Sequence, residues 1–513
     1  MKLLNKKIRN LSVFLTATLA VSLNAGCEKF LDTERQGTYT ADNYPYPEGT
    51  GPYDLFLNAA YNTLRNYHYT ADAFMVITSI RSDDADKGST PADGGADVIS
   101  MDEFPVLPSN GRANGLWVAY YTMINRCNTV LDEIANNEDI VATPEAKVQA
   151  EAEAKFMRAY SYFVLVRAFG RVPKIESVLQ ANDSNVPQSS PEEIYALIES
   201  DLRFAAANLP PNWDPSLVGK ITSGAANGIL AKVYLTQQKW GEAMSTASLV
   251  MNSGEYDLST PYAQIFGESG ENSKESVFEI QATASAAVTQ ANGVQYASIQ
   301  GVRGTGEWNR GWGWNMPSAQ LEAAYEPNDP RRERTILYTS TADQPGYTIY
   351  GELTPTGLPN PKYNQKVLAS PSYIARINNR GGWWMNVRIL RYADVVLMFA
   401  EAANEVGGEA NILAARDALN SVRERARAGD NSILPDVTTE DEDELRQAIR
   451  HERRIELAME HDRFFDIVRW GISQEVMDAA GKTNFSASRD NLLPIPQTQI
   501  DLSNGLLTPN PGY

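Results

Sequence analysis

Apolar residues recur at helical spacing through much of the first half of the chain. Between residues 114 and 135 they fall three or four positions apart, which places their side chains on one face of an α-helix. These residues are Trp117, Tyr120, Tyr121, Ile124, Cys127, Leu131 and Ile134. A second long helix is predicted from Pro144, a residue suited to a first helical turn, to Phe169. A third is predicted to begin at Pro191 and to end before Pro210.

A repeated helix–turn–helix pattern lies in residues 222–251. The positions that match the tetratricopeptide pattern are Leu230, Ala231, Tyr234, Trp240, Ala243 and Ala247. Small residues at such positions allow two paired helices to approach closely. Residues 155–169 and 393–427 match the same pattern less well. Together these segments predict a mainly helical scaffold built from tetratricopeptide-like helix pairs.

The pattern changes in residues 253–390. Gly, Pro, Asn, Thr and aromatic residues are frequent there, helical periodicity disappears, and short strand-like runs such as 277–280 appear. Segments of this length without regular structure are usually functional or disordered, and the aromatic content argues against disorder. Helices are predicted again over 391–427 and 442–470. We therefore expect a mainly α fold with a long, irregular, loop-rich central insertion and a few short strands.

Residues 1–26 have the layout of a secretory signal. Four basic residues and no acidic ones precede an apolar stretch over 11–23, which is too short and wrongly flanked to span a membrane. The run LNAGC then ends at Cys27 and resembles a bacterial lipobox, in which the cysteine sulfur is acylated before cleavage. An ordinary signal with an incidental cysteine is the alternative. We expect cleavage before Cys27 and lipidation of Cys27.

The lipid on Cys27 is the only membrane attachment that the sequence predicts. No other stretch approaches the roughly 20 apolar residues of a membrane span. Cys127 then has no cysteine partner, and we predict that it is a small buried hydrophobe.

Residues 27–252 are predicted to form an N-terminal helical part and residues 253–513 a C-terminal part with ligand-binding loops. The two parts are expected to form one compact unit.

The charge and the motifs exclude several function classes. A net charge of −19 argues against nucleic acid and anionic lipid surfaces, both of which reward basic patches. Three His residues are too few for a His-rich metal site, and no H-E-x-x-H, G-x-S-x-G or dinucleotide-binding glycine motif is present. Residues 83–86 look like the start of a calcium loop but lack its later glycine and glutamate, so a solvated loop is predicted. We expect no cofactor, no metal site and no catalysis.

Three tryptophans, Trp308, Trp312 and Trp314, lie among four glycines in residues 304–314. Glycine-rich backbone fills a core poorly, so indoles carried on it are candidates for an exposed surface. Sugars present apolar C–H faces ringed by hydroxyls, which suit a flat indole beside a few polar groups. The alternative is that these tryptophans pack the loop onto the helices, and Trp314 is predicted to do so.

Five segments, taken in order, resemble the SusD/RagB family of outer-membrane nutrient-binding lipoproteins. They are CEKFLD (27–32); GWNMP (313–317) with DPRR (329–332); LRYADV (390–395) with FAEA (399–402); IRHERRIEL (449–457) with RFFD (463–466) and RWG (469–471); and LPIP (493–496) with NPGY (510–513). The resemblance covers essentially the whole chain after the signal. It implies a SusD-like helical fold and a protein that binds its ligand without transforming it.

The resemblance also implies a ligand face, built here from residues 81–86 and 295–312. The ligand-binding residues predicted on this basis are Trp308, Trp312, Tyr296, Arg81, Asp83 and Asp84, with Trp383 as a weaker candidate. The implied protein is lipid-anchored in the outer membrane and faces the cell exterior. It captures an oligosaccharide and passes it to a SusC-like TonB-dependent transporter.

Three other functions stay open at this point. Some family members resemble RagB and handle peptides, so a peptide is an alternative ligand. A lipid-anchored glycoside hydrolase is a second alternative, because any two carboxylates of an acidic chain could meet in space. An assembly adaptor on a tetratricopeptide-like scaffold, with no small ligand, is the third.

Charged residues between positions 453 and 469 recur at spacings of three and four. They are Arg453, Arg454, Glu456, Arg463, Asp466 and Arg469. We predict that they form ion pairs along one helix, each exposed pair contributing less than ~1 kcal/mol, and that they belong to the scaffold.

Overall fold

Helices make up most of the regular structure in the computed structural model, which describes residues 51–180, 185–283 and 293–513. The α-helices of those residues are α1 (Asp54–Leu64), α2 (Asp72–Met75), α3 (Gly95–Glu103), α4 (Gly111–Asn136), α5 (Pro144–Phe169), α6 (Pro191–Asn208), α7 (Ser223–Thr236), α8 (Trp240–Met251), α9 (Tyr262–Ile265), α10 (Tyr296–Gln300), α11 (Ala319–Ala324), α12 (Pro330–Thr335), α13 (Pro371–Ile377), α14 (Tyr392–Val406), α15 (Glu409–Arg427), α16 (Glu442–Glu456), α17 (Arg463–Arg469), α18 (Ser473–Ala479), α19 (Ala487–Asp490) and α20 (Gln497–Leu502). Two π-helical segments, Tyr67–Ala71 and Val76–Ile80, flank α2. The prediction of a mainly α fold is confirmed.

The strands within the described residues are short and pair in twos. They are β1 (Ala85–Gly88), β2 (Val172–Pro173), β3 (Gln188–Ser189), β4 (Ser276–Ile280), β5 (Trp314–Pro317), β6 (Ile336–Tyr338), β7 (Lys362–Asn364) and β8 (Val387–Arg391). The antiparallel pairs are β1 with β5, β2 with β3, β4 with β8 and β6 with β7. In the first pair Gly88 lies opposite Trp314, which joins the segment after the second π-helix to the tryptophan-rich loop.

Local sequence signals explain where the long helices begin and end. The Ser190 hydroxyl accepts from the backbone N–H of Glu193, whose carboxylate accepts from the Ser190 N–H, so this pair caps the start of α6. Thr143 caps α5 in the same position, ahead of Pro144. The helices predicted from Pro144 and Pro191 are confirmed, and so is the helix pair α7 and α8.

Successive helices pack side by side. In the order α4, α5, α6, α7, α8, α14, α15, each helix contacts the next, as in an array of helix–turn–helix units. Cys127 is fully buried in α4 without a disulfide, and burial raises the pKa of its thiol, as predicted for a small apolar residue. One compact unit comprises Tyr53–Asn136 and Thr143–Tyr513. Residues 137–142 do not belong to that unit. They contain a turn in which the Asp139 N–H donates to Asn137 Oδ1 (3.0 Å).

The predicted single helix over residues 442–470 is wrong. Helix α16 ends at Glu456 and α17 begins at Arg463, because the connecting residues turn the backbone away from the helical path. Met459 (φ 65°) and His461 (φ 91°) both have positive φ, a conformation that no helix continues. Most charged residues of this region therefore pair with other segments, whereas Arg469 pairs with Asp466 within α17 (2.8 Å).

Several predictions concern residues outside those that the structure describes. They are the signal at residues 1–26 and lipidation of Cys27. Within the described residues, none of the helices combines the length and apolarity that crossing a membrane requires.

Candidate functional site

A π-helical segment after α1 carries the first two rings of the candidate site. The Asn66 side chain accepts from the His68 N–H (3.0 Å) and so caps the segment Tyr67–Ala71. Tyr69 is buried and its ring stacks on Tyr120 of α4 with centroids 4.1 Å apart. The segment is thereby fixed to the scaffold on one side, while Tyr67 and His68 remain half-buried on the other.

The glycine-rich loop places Trp312 beside that segment. The Trp312 N–H donates to the carbonyl of Ser298 in α10 (2.9 Å). A Cβ at Gly311 would lie 2.3 Å from the same carbonyl oxygen, so only glycine allows this close approach. Trp314 then enters β5 and is 4% exposed, as predicted, whereas the Trp312 side chain is 37% exposed. The loop thus buries one indole and presents the other.

Four rings form what we call the aromatic platform, namely Tyr67, His68, Trp312 and Trp314. The Trp312 ring meets Tyr67 at 6.3 Å and 61°, and Trp314 at 5.2 Å and 73°. Tyr67 meets His68 at 5.0 Å and 61°. These are edge-to-face arrangements, which are favourable between aromatic rings. Because neither partner stacks flat on Trp312, no parallel ring from the described residues covers the face of this indole.

Charged groups lie at the edge of the platform. The Arg112 guanidinium is 5.8 Å from the Trp314 ring centroid and pairs with Asp72 (3.2 Å) and Asp97 (3.6 Å). Asp72 is fully buried, and His68 Nδ1 lies 3.4 Å from its carboxylate. Burial, and then the Asp72 charge, raise the pKa of Tyr67, so its phenol keeps its proton at neutral pH.

This arrangement is suited to binding a ligand that has both apolar faces and hydroxyls. The indole and phenol offer apolar surface to a ligand's C–H face. The Tyr67 hydroxyl and the partly exposed Arg112 and Asp97 side chains offer hydrogen-bond donors and acceptors beside it. Within the part of the chain that the structure describes, no group of three or more His, Cys, Asp or Glu side chains is arranged to hold a metal ion.

Trp308 lies on a different part of the same loop. It is half-buried and packs against a small cluster of Val302, Leu337 and Tyr363. The Arg310 guanidinium covers its ring at 4.3 Å and is held in place by a bidentate pair with Glu352 (2.7 and 2.9 Å). The described contacts of Trp308 are therefore packing contacts and not contacts with the platform.

Two further predicted residues, Tyr296 and Trp383, lie at α10. Tyr296 is buried, with its ring 5.2 Å from His461, and burial raises the pKa of its phenol. Trp383 is half-buried, and a Cβ at Gly381 would lie 2.9 Å from the Trp383 indole and 3.1 Å from the Ser298 Cβ. Because Ser298 also holds Trp312, the structure brings Trp383 and Trp312 to the same short helix.

Arg81 lies inside the protein. Its side chain is fully buried, its Nη2 donates to the Asp490 carbonyl (2.7 Å), and its guanidinium lies 4.2 Å from the Phe464 ring centroid. Burial lowers the pKa of Arg81 to about 10, so the residue remains charged at neutral pH. A side chain must be exposed to contact a ligand, and the Arg81 side chain is not exposed.

Asp83 and Asp84 are also buried, at 3% exposure or less, so the prediction of a solvated loop over residues 83–86 is wrong for these two positions. Asp83 makes a bidentate pair with Arg463 (2.8 and 2.9 Å), and Arg454 bridges Asp83 (2.8 Å) and Asp84 (2.7 Å). Burial by itself raises the pKa of Asp83, but Arg463 and Arg454 outweigh it and hold the pKa below its ordinary value. The described contacts thus give both carboxylates a role in joining distant segments.

Segments that carry the family resemblance meet in a buried ion network. Its centre is Glu456, fully buried, whose carboxylate accepts from Arg331 (3.1 Å), Arg391 (3.0 Å) and Arg425 (2.6 Å). The remaining members are Glu275, Asp329, Lys366, Arg423, Glu452 and Glu460. We use "buried ion network" for these ten residues. Most of them lie in or directly beside β4, α12, β8, α15 and α16. The motifs that resemble the family therefore specify internal contacts.

Sequence reasoning did not select Tyr67, His68, Arg112 or Asp97. The run NYHY at residues 66–69 was a usable signal, because it places three aromatic rings directly after the first helix. The family resemblance predicted part of the ligand face in a loop after the first helix, but at residues 81–86 and not at this run. Arg112 and Asp97 carry no local signal, since only the packing of α3 against α4 brings them to the platform.

Comparisons with known proteins agree with this architecture. Residues 274–513 match the model of the SusD family, and residues 67–235 match a SusD-like family described as starch-binding and associating with the outer membrane. The SusD-like protein P2 of Formosa agariphila is 31% identical over 479 residues, which cover 89% of this chain and 91% of that protein. A SusD-like protein of Bacteroides ovatus is 28% identical over 485 residues, covering 89% and 82%.

A solved structure shows the same fold. A laminarin-binding SusD-like protein, 26% identical in sequence, superposes with a TM-score of 0.74 over 90% of this chain and 99% of its own. The alignment with the Formosa relative extends over nearly the full length of both proteins at more than 30% identity. The chain therefore belongs to the SusD/RagB family.

Proposed function

We propose that this protein is a cell-surface glycan-binding lipoprotein that captures oligosaccharides and passes them to a TonB-dependent outer-membrane transporter. The observation that carries the proposal is the aromatic platform, in which Trp312 is presented on a rigid loop beside Tyr67. Family membership supports it, since one solved member is described as laminarin-binding and one matching family model as starch-binding.

The platform suits a sugar because its parts are held in place before any ligand arrives. The backbone of Trp312 is fixed to Ser298, and Tyr67 begins a capped segment that is anchored to α4. A rigid aromatic surface loses little conformational freedom on binding, so more of the stacking energy appears as affinity. The Arg112 and Tyr67 donors, with Asp97 as an acceptor, give the hydroxyls around a sugar ring partners at the rim.

Attachment to the membrane through Cys27 is part of the proposal. Its support is the lipobox-like run ending at Cys27, together with a family model described as associating with the outer membrane. Stable anchoring takes at least two lipid chains, because a single chain gives only marginal binding. A tethered capture protein keeps its ligand close to the membrane, which suits delivery to a SusC-like transporter.

The experiment that tests the proposal is glycan binding by purified residues 28–513 and by two matched variants. A glycan array identifies a ligand, and calorimetry then measures its affinity. Loss of an aromatic anchor at a binding hot spot typically costs ~2 kcal/mol, so Trp312→Ala is expected to weaken binding about thirtyfold. Tyr347, 56% exposed and in no described contact with the platform, supplies the control, and Tyr347→Ala should leave the affinity unchanged.

The same samples separate the alternative functions. Binding to a peptide panel with no response on the glycan array would replace the glycan by a peptide ligand. Release of reducing ends from the bound glycan would identify a hydrolase. Equal loss of affinity in Trp312→Ala and Tyr347→Ala would show that the platform is not the binding site, even if a glycan binds.

A further inference from the structure

A second cavity lies away from the platform, between the connection from α6 to α7 and the residues around β4. Its volume is about 570 Å³, within the range of small-molecule sites, and none of its lining residues belongs to the platform. Its lining comes from residues within 211–225, from Glu255 and Tyr256, and from residues within 272–281.

One wall is aromatic and fixed in orientation. Trp213 is half-buried, and its indole N–H donates to the Ile221 carbonyl (2.9 Å). The Lys220 ammonium lies 4.9 Å from the Trp213 ring centroid. Tyr256 shares a hydrogen bond with the Thr222 hydroxyl (2.9 Å). These contacts hold an indole and a phenol as a preformed surface within the cavity.

The lining is also rich in amides. Asn272 and Gln281 exchange two hydrogen bonds, with the Asn272 Nδ2 donating to Gln281 Oε1 (3.0 Å) and the Gln281 Nε2 donating to Asn272 Oδ1 (2.9 Å). Asn212 donates to Glu255 Oε1 at 3.3 Å. A carboxamide offers both donors and acceptors, which is the requirement for binding a hydroxyl that also does both.

Two of the charged side chains that line the cavity, Lys220 and Glu279, are compensated by other protein groups. Lys220 pairs with Asp54 (3.6 Å) and Glu153 (3.5 Å), neither of which lines the cavity. The Glu279 carboxylate pairs with Arg388 (3.3 Å) and accepts from Asn386 (3.0 Å). The other two charged residues of the lining, Glu255 and Lys274, are of opposite sign. The lining therefore carries no net charge, and the cavity favours a ligand without net charge.

We propose that this cavity is a second carbohydrate site, which takes a neutral mono- or disaccharide unit independently of the aromatic platform. Aromatic rings, amides and a lining without net charge are together the chemistry that recognises an uncharged polyol ring. The site extends the proposed function, because it gives a long glycan a second point of attachment on the same chain.

The test uses ligand-observed saturation-transfer NMR with glucose, galactose, mannose and xylose, and with glucuronate as the charged comparator. Every protein carries Trp312→Ala, so that the platform contributes little. Val218 lines the cavity and is 56% exposed, which allows Val218→Trp to fill the opening without disturbing a core. Val406 is 42% exposed and does not line the cavity, so Val406→Trp is the same substitution at a neutral position.

The proposal expects at least one neutral sugar to give a signal in the Trp312→Ala protein. That signal should fall about tenfold in Val218→Trp, the loss that corresponds to a weakening of about 1.4 kcal/mol, and should persist in Val406→Trp. Melting temperatures confirm that both variants are folded. Absence of signal from all four sugars, equal signals in the two variants, or a stronger response to glucuronate would each overturn the proposal. A negative result at this cavity does not affect the test of the platform, which compares the glycan affinities of Trp312→Ala and Tyr347→Ala.

Discussion

The buried ion network holds Glu456, Arg331 and Arg391 away from water, whereas the aromatic platform exposes Trp312 and half-exposes Tyr67. In the network every charge faces a partner of opposite sign at close range, and five secondary-structure elements meet there. In the platform the rings meet edge to face and leave surface uncovered. The first arrangement is closed on itself, and the second is open to a ligand.

This difference shows which parts of the sequence specify the fold and which parts supply the candidate binding surface. Segments with recognisable motifs, such as DPRR and IRHERRIEL, supply the network, because a buried charge needs a particular partner in a particular place. The platform consists of Tyr67, His68, Trp312 and Trp314, and of these only Trp314 belongs to a family segment, GWNMP. Under the proposed function, a change at the exposed Trp312 alters ligand binding without requiring the fold to change.

Breaking the network should have the largest effect on stability. Arg331→Met removes a cation that contacts Asp329, Glu452 and Glu456, and leaves these buried carboxylates undercompensated. Removing one partner of a buried pair typically costs 3–5 kcal/mol, roughly, in the free energy of unfolding. Denaturant titration measures it. The control is Arg416→Met, because Arg416 pairs with Glu440 at the surface (2.8 Å) and should cost less than about 1 kcal/mol. Equal costs at the two positions would contradict the comparison.

A second effect is expected at mildly acidic pH. Burial lowers the pKa of His461 to about 4, from an ordinary value of 6.5, although Asp462 and Glu460 oppose the shift. Between pH 6.5 and 4 the unfolded chain therefore binds a proton that the folded chain does not. Above pH 6.5 the titration of His461 does not change the free energy of unfolding. Below pH 6.5 this free energy falls by about 1.4 kcal/mol per pH unit, and the total loss is ~3 kcal/mol at pH 4. Denaturant titrations of wild type and His461→Gln over this range should diverge in slope. Parallel curves would show that His461 is not held neutral.

The sequence predicted the scaffold better than the ligand face. Helical spacing and caps located α4 to α8, because each signal is local to one element. The helix over 442–470 was predicted without its break, since nothing in the apolar spacing reports the positive φ of Met459 and His461. Arg81, Asp83 and Asp84 look like exposed polar residues in the sequence, and only the tertiary contact with α16 and α17 shows their burial.

Trp308 and Trp312 are alike in sequence context but differ in the structure. Because Trp308 packs against Val302, Leu337 and Tyr363, Trp308→Ala should lower the free energy of unfolding by ~2 kcal/mol, less than for a fully buried tryptophan. Its glycan affinity should stay within about twofold of wild type, since a non-anchor residue contributes little. A melt and a calorimetric titration on one sample decide between the two roles. A large loss of affinity with little loss of stability would return Trp308 to the ligand face.

The smallest expected effect is at Trp383. Its position beside Ser298 places it at the margin of the platform, with the indole half-buried. Trp383→Ala is expected to weaken glycan binding by ~1 kcal/mol, about fivefold, as for a peripheral aromatic contact. Calorimetry with the glycan that Trp312 recognises measures it. An effect as large as that of Trp312→Ala would move the centre of the site toward residues 381–383.

The most direct test of the account measures binding and stability together in Trp312→Ala and Arg331→Met. If the platform binds the ligand and the buried ion network stabilises the fold, Trp312→Ala loses glycan affinity and keeps its free energy of unfolding. Arg331→Met should lose stability and, at a temperature where it is folded, keep its affinity. Loss of affinity in Arg331→Met without unfolding, or full affinity in Trp312→Ala, would contradict it.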